Sequence, residues 1–167
     1  MISNSAQRAS LVPSYPRISV YISKPNYTHD LVYGSGVFGI HLLRTDQWDL
    51  IWQLGFQSGR DVDKLRELDV VDGTTGCPML TDCVAAFECK VVNAMDTGAS
   101  TFFLGDVVHV RSGVEGPIMS SEYFRANMPA ERLAQYEANL KAAGATLEKL
   151  TRDIDPTRTW PGTVVNP

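Results

Sequence analysis

The sequence predicts a mainly β, α+β fold: an antiparallel barrel or sandwich with short helices inserted between strands and a helical C-terminal extension. Three observations carry that reading. Residues 17–23, Arg-Ile-Ser-Val-Tyr-Ile-Ser, alternate apolar and polar with β-branched side chains at Ile18, Val20 and Ile22, the period-two mark of a half-buried strand. Val84–Met95 and Thr101–Arg111 are two long strand patterns joined by Asp96-Thr97-Gly98-Ala99-Ser100, which has hairpin turn chemistry. No strand is regularly followed by a long helix, as a parallel sheet would require.

Each element follows from its own signals. Pro16 and Pro25 bracket the first strand, and Asn26–Val32 reads as a short helix with Asn26 or Thr28 as N-cap, stopped by Gly34 and Gly36. Val37–Leu43 is a second strand. In Asp46–Leu54 the residues Trp48, Ile51 and Trp52 share a helical face, with acids in the first turn and a stop near Gly55. The loop Gln57-Ser58-Gly59-Arg60 leads into a predicted helix over 61–68, and a turn-rich stretch covers 72–78. Beyond the hairpin, Pro129 suits a first helical turn, Leu133, Tyr136 and Leu140 repeat at helical spacing, and Gly144 supplies a stop before a weaker helix over 145–152. Pro156, Pro161 and Pro167 exclude a helical ending. These signals divide the chain into a β domain, 1–113, and a helical extension, 114–167, packed on it.

At 167 residues, with 44% hydrophobic and 20% charged side chains, the chain has the make-up of one globular domain. Fifteen Lys and Arg against nineteen Asp and Glu give a formal charge of −4, with no basic run to match a phosphate backbone, so nucleic acid is not an expected partner. The longest apolar stretches are strand-sized, short of the roughly 20 residues of a membrane span. The first eight residues lack a basic opening and an apolar core of signal-peptide length, so the expected location is the cytoplasm.

The familiar catalytic and nucleotide motifs GxGxxG, GxSxG and HExxH are absent from the sequence, as is a Walker loop. Cys77, Cys83 and Cys89, spaced by six, match neither zinc ribbons nor a thioredoxin motif and read as reduced thiols. His41 leaves its strand on the face opposite Ile40 and Leu42, toward a ligand or a polar edge; His29 reads as solvated in the first turn of a short helix; His109 lies near a strand end. Anion binding has better support. Lys24 precedes the helix start at Asn26–Thr28, whose backbone N–H groups suit an anion, and Ser58-Gly59-Arg60 is expected to repeat the device with a guanidinium.

Several segments, taken in order, resemble the flavin reductase-like, FMN-binding split-barrel family, close to its flavoredoxin branch. They are Asn4-Ser5-Ala6-Gln7, Lys24-Pro25-Asn26-Tyr27-Thr28-His29, the strand Gly36–Leu43, Ser58-Gly59-Arg60-Asp61-Val62-Asp63-Lys64, Gly76-Cys77-Pro78-Met79-Leu80, Phe87-Glu88-Cys89 and Phe103-Leu104-Gly105-Asp106-Val107. The resemblance implies a six-stranded antiparallel split barrel that forms a homodimer and holds FMN without covalent attachment. Carried over by position, Asn4, Ser5, Ala6 and Gln7 would line the isoalloxazine ring, Lys24, Tyr27 and Thr28 would take the ribityl phosphate, and Ser58 and Arg60 would close on the same phosphate or on the ribityl chain, with Lys64 one turn further on. No catalytic acid or base and no metal is implied.

The activity implied is that of an oxidoreductase passing hydride from NADH or NADPH to flavin or onward to an acceptor. One alternative is a flavoredoxin-like carrier with tightly held FMN and a redox protein partner; another is a scaffold without cofactor. Three departures bear on these. The family has a strand and a glycine-containing turn before the position of Ser3, so either the start is placed too late or the barrel lacks its first strand and one sheet edge is open. His41 stands where the family has asparagine, and Ala99-Ser100 stand where many members carry an acid and a histidine.

Overall fold

A computed structural model describes residues 6–10, 12–152 and 154. Its centre is a five-stranded antiparallel sheet. The strands are β1 (Gln7–Arg8), β2 (Arg17–Ser23), β3 (Val37–Leu42), β6 (Ala85–Asp96) and β7 (Ser100–Ser112), in the order β1-β2-β7-β6-β3. Short β4 (Val70–Asp72) and β5 (Pro78–Leu80) pair separately as a two-stranded sheet. The mainly β, split-barrel class expected from the sequence is the fold observed. Among the described residues, the six strands of the family pattern are replaced by this five-plus-two arrangement.

The alternation in β2 puts Val20 and Ile22 into the core and Tyr21 on the opposite, exposed face. Val20 and Ile22 meet Phe103, Cys89, Val91, Ala94, Phe38 and Val32 in one cluster, with Phe103 and Cys89 fully buried. Bulges between Glu88 and Cys89 and between Val91 and Asn93 bend β6, the strand shared by both neighbours, and such bends let a twisted sheet curl toward a barrel. The hairpin turn between β6 and β7 is locked by Thr97, whose backbone N and Oγ1 both donate to Ser100 O, at 3.0 and 2.8 Å.

Helix α1 (Tyr27–Ser35) follows β2 and lays Val32 on the core; Gly36 closes it, donating to Val32 O at 2.9 Å. Helix α2 (Trp48–Gly55) buries Ile51. Two further helices, α3 (Ser121–Ala126) and α4 (Ala130–Arg152), follow the sheet. Ser120 caps α3, accepting from Tyr123 N at 3.0 Å. An aromatic seam joins them to α2: Trp48 stacks on Phe124 at 5.2 Å, Tyr136 meets Phe56 at 5.9 Å, and the Arg132 guanidinium lies 4.1 Å above Trp52.

Two predicted elements differ. The helix expected over 61–68 is a run of turns. Ser58 O accepts from both Asp61 N and Val62 N, Asp63 Oδ1 accepts from Leu65 N at 3.1 Å, and Lys64 reaches back to α2; such local bonds satisfy the backbone without a helix. Gly144 does not stop α4, which is one helix of 23 residues rather than two. A glycine within a helix costs about 1 kcal/mol relative to alanine, which flanking helix formers and the Glu148 to Arg152 pair at 2.5 Å offset.

Candidate functional site

The site forms where the end of β2, the start of α1 and the hairpin of β6 and β7 meet. Lys24 leaves β2 and is fixed by its own backbone N–H, which donates to Ala99 O at 2.9 Å. Its ammonium donates to both carboxylate oxygens of Asp96, at 2.7 and 2.8 Å. Asp96 is buried at the end of β6 and also accepts from Gly98 N at 2.8 Å. In the first turn of α1, His29 Nε2 lies 2.8 Å from Thr101 Oγ1, and its ring stacks on Tyr33 at 5.7 Å. Together these side chains line a cavity of about 140 Å³, bounded by Lys24, His29, Asp30, Tyr33, Asp96 and Thr101. His29 is therefore a cavity-wall residue and not the solvated side chain expected.

The loop after α2 brings a second cation to the start of α1. Arg60 N donates to Ser58 Oγ at 3.2 Å, a tight turn that turns the guanidinium back toward α1. That guanidinium donates to Pro25 O at 3.1 Å and to Asp30 Oδ2 at 2.5 Å, and it stands 5.0 Å above the Tyr27 ring. Gly59 permits this approach: a methyl group there would lie 3.2 Å from Tyr27 Cδ1. The loop thus rests on the first residue of α1. The Ser58-Gly59-Arg60 turn opens no helix, so the second helix start expected to bind an anion is replaced by a side-chain cation.

Lys64 occupies a different position. Its ammonium donates to Leu54 O at 2.7 Å and Gln57 O at 2.9 Å, holding the end of α2 to the loop, and burial pushes its pKa down. It seats the Ser58–Arg60 turn from behind. Tyr27 is exposed and Thr28 half-buried at the start of α1, where Asn26 is the N-cap but makes no side-chain capping bond. Gln7 lies on edge strand β1, opposite Ser19, and Ala6 precedes it exposed; Asn4 and Ser5 lie outside the described residues. The structure thus sets Arg60 against Pro25, Tyr27 and Asp30 at the start of α1, while the Lys24 ammonium faces Asp96.

Four members of this cluster escaped the reading of the sequence as site residues: His29, Asp30, Asp96 and Thr101. The ion pair of Lys24 with Asp96 spans 72 positions, and only the hairpin register brings the two together. Charge is balanced across the cluster, since each cation holds one carboxylate: Lys24 with Asp96, and Arg60 with Asp30.

His41, Glu88 and the three cysteines serve packing. His41 Nε2 accepts from Leu80 N at 3.1 Å and burial lowers its pKa, so the neutral ring fastens β3 to β5. Buried Glu88 accepts from Thr75 N, Thr74 Oγ1 and Thr75 Oγ1 at 3.0 to 3.1 Å, pinning the turn between β4 and β5. The three cysteines are free thiols; burial raises the pKa of each, that of Cys89 to about 12. Among the described residues no group of three or more His, Cys, Asp or Glu is placed to hold a metal ion, and no helix is long and apolar enough to cross a membrane.

Comparison with known proteins places this geometry in context. The family model described as "Flavin reductase like domain" matches residues 1–128. A ferric-chelate reductase (NAD(P)H) of Archaeoglobus fulgidus is 35% identical over 94 residues, covering 55% of this chain and 56% of that protein. Among solved structures, an FMN-binding protein from Thermus thermophilus with bound p-hydroxybenzaldehyde is 33% identical with a TM-score of 0.60, covering 66% of this chain and 61% of that one. An NADH:FAD oxidoreductase of Streptomyces globisporus is 25% identical with a TM-score of 0.59, covering 65% and 64%. The chain spans about half the length of the curated relatives it matches.

Proposed function

Because the chain belongs to the flavin reductase-like domain family, we propose that it binds FMN at the cradle of Lys24, Tyr27, Thr28, Ser58 and Arg60 and acts as an NAD(P)H-dependent flavin oxidoreductase. The observation that carries this reading is the placing of Arg60 against the start of α1, which follows closely after Lys24 in the chain, with a cavity lined by Lys24 and Asp30 beside it. The donor set fits a phosphate-bearing flavin. Two cations, three hydroxyl groups and a helix start suit the phosphate. Among the relatives, an FMN-binding protein and reductases named for NAD(P)H or NADH support the same reading.

When bound, the flavin supplies the redox chemistry, accepting hydride from a nicotinamide. The chain's own work is to hold and orient it. Arg60, steadied by Asp30 and the Tyr27 ring, and Lys24 would supply the cations that hold the phosphate, and Lys64 would keep the Ser58–Arg60 turn in place. Residues 4–7, Asn4, Ser5, Ala6 and Gln7, are assigned to the ring edge, where backbone and amide groups can hydrogen-bond it. No side chain is required as acid or base.

The reading includes a homodimer in the cytoplasm, with 1–113 as the flavin-binding unit and 114–167 as an extension on it. Exposed Tyr21 and Met95 flank Phe102 on the outer face of the sheet, an apolar surface suited to a second subunit. The test is anaerobic mixing of protein and FMN with NADH and, separately, NADPH. Loss of the oxidised flavin band faster than in a protein-free control is the expected result. Equal rates with and without protein would overturn the reductase reading, and retained flavin that bleaches only with a partner's electrons would replace it with a carrier.

A further inference from the structure

Each cation of the cradle is already matched by a carboxylate. Lys24 donates to both oxygens of Asp96, and Arg60 donates to Asp30, so two positive charges face two negative ones before any ligand arrives. The two acids differ in how they are held. Asp96 is buried and is also tied to Gly98 N in the hairpin turn, whereas Asp30 is exposed on the surface of α1 and lines the cavity.

A phosphate monoester carries close to two negative charges at neutral pH. A cradle with net charge near zero therefore attracts it far less than two bare cations would, and part of any gain is cancelled by repulsion from Asp30 and Asp96. The ring and ribityl portions of a flavin carry no such charge and are indifferent to this balance.

Resting on the assignment of the cradle to flavin, we infer that Asp30 is a specificity-determining residue that holds Arg60 in place while lowering the preference for a phosphorylated flavin over an unphosphorylated one. Asp30 also positions Arg60, since its carboxylate, Pro25 O and the Tyr27 ring together fix the guanidinium.

The experiment measures dissociation constants for FMN and riboflavin, by flavin fluorescence, for the wild type, Asp30→Asn and Asp30→Glu. Removing one charge beside a dianion in a water-exposed setting changes binding by about tenfold. Asp30→Asn is therefore expected to raise the FMN to riboflavin affinity ratio about tenfold, by tightening FMN alone, with a gain that shrinks in high salt. Asp30→Glu, which keeps the charge, is expected to keep the wild-type ratio. If both flavins bind and Asp30→Asn leaves the ratio unchanged, the role of Asp30 is overturned while the cradle stands. If neither flavin binds any of the three proteins, the cradle assignment fails and the inference fails with it.

Discussion

Lys24 and Asp96, 72 residues apart in the chain, meet through two charge-assisted hydrogen bonds of 2.7 and 2.8 Å that tie the end of β2 to the end of β6. The carboxylate is buried and the lysine largely covered, so each group compensates the desolvation of the other. Lys24→Met removes the cation from beside the buried carboxylate of Asp96. The expected loss is about 2 kcal/mol of folding free energy, seen as a lower urea midpoint. An unchanged midpoint would show that the pair contributes nothing to stability.

His41 couples stability to pH. Burial holds its folded-state pKa below the ordinary 6.5, and Leu80 N–H needs the neutral Nε2 as acceptor. As pH falls, the unfolded chain takes up the proton first, so this contribution is complete above about 6.5 and is lost as pH drops from there toward the lowered value. Thermal midpoints should therefore fall more steeply between pH 7 and 5.5 in the wild type than in His41→Gln. Parallel slopes would assign the acid sensitivity elsewhere.

Much of this fold was legible in the sequence, and the exceptions share a cause. The alternation over 17–23 and the two long patterns joined at 96–100 gave β2, β6 and β7 nearly to the residue, because a half-buried strand writes its period into the chain. Lys24 and Arg60 were legible because each sits beside a turn signal, Pro25 or Gly59. Asp96, Thr101 and His29 were not, because their meeting depends on the β2 and β7 register and on the depth at which α1 packs. The false helix over 61–68 has helical composition, yet Asp63 and Lys64 spend their side chains on nearby backbone groups. Gly144 reads as a stop and is carried through by its neighbours.

The three thiols should be slow to alkylate in the native state. Burial raises the pKa of Cys77, Cys83 and Cys89, the last to about 12, so little thiolate is present near neutral pH. Mass-resolved labelling with iodoacetamide at pH 7.5 should modify half-buried Cys77 first and fully buried Cys89 last, with all three reacting at once in denaturant. Rapid native labelling of Cys89 would contradict the packing described for β6.

The end of α4 rests against the hairpin turn at Gly98. There φ is +85°, and a methyl group would stand 2.8 Å from Thr151 Cα and 3.0 Å from Thr151 O. Gly98→Val strains the turn and pushes the helix end away, at a cost of about 1 kcal/mol or more. Hydrogen exchange over residues 145–152 should then rise sharply while the core strands keep their protection. Unchanged exchange in that segment would mean that the contact does not hold the helix end.

If the cradle at the start of α1 seats the phosphate of a flavin, as proposed, titration of Arg60→Met with FMN and with riboflavin will show it. Loss of the guanidinium removes one of two cations and leaves Asp30 without its ion-pair partner, so FMN binding should weaken about tenfold or more while riboflavin binding stays close to the wild-type value. Equal weakening of both flavins, or no weakening of either, would contradict a phosphate seat at Arg60.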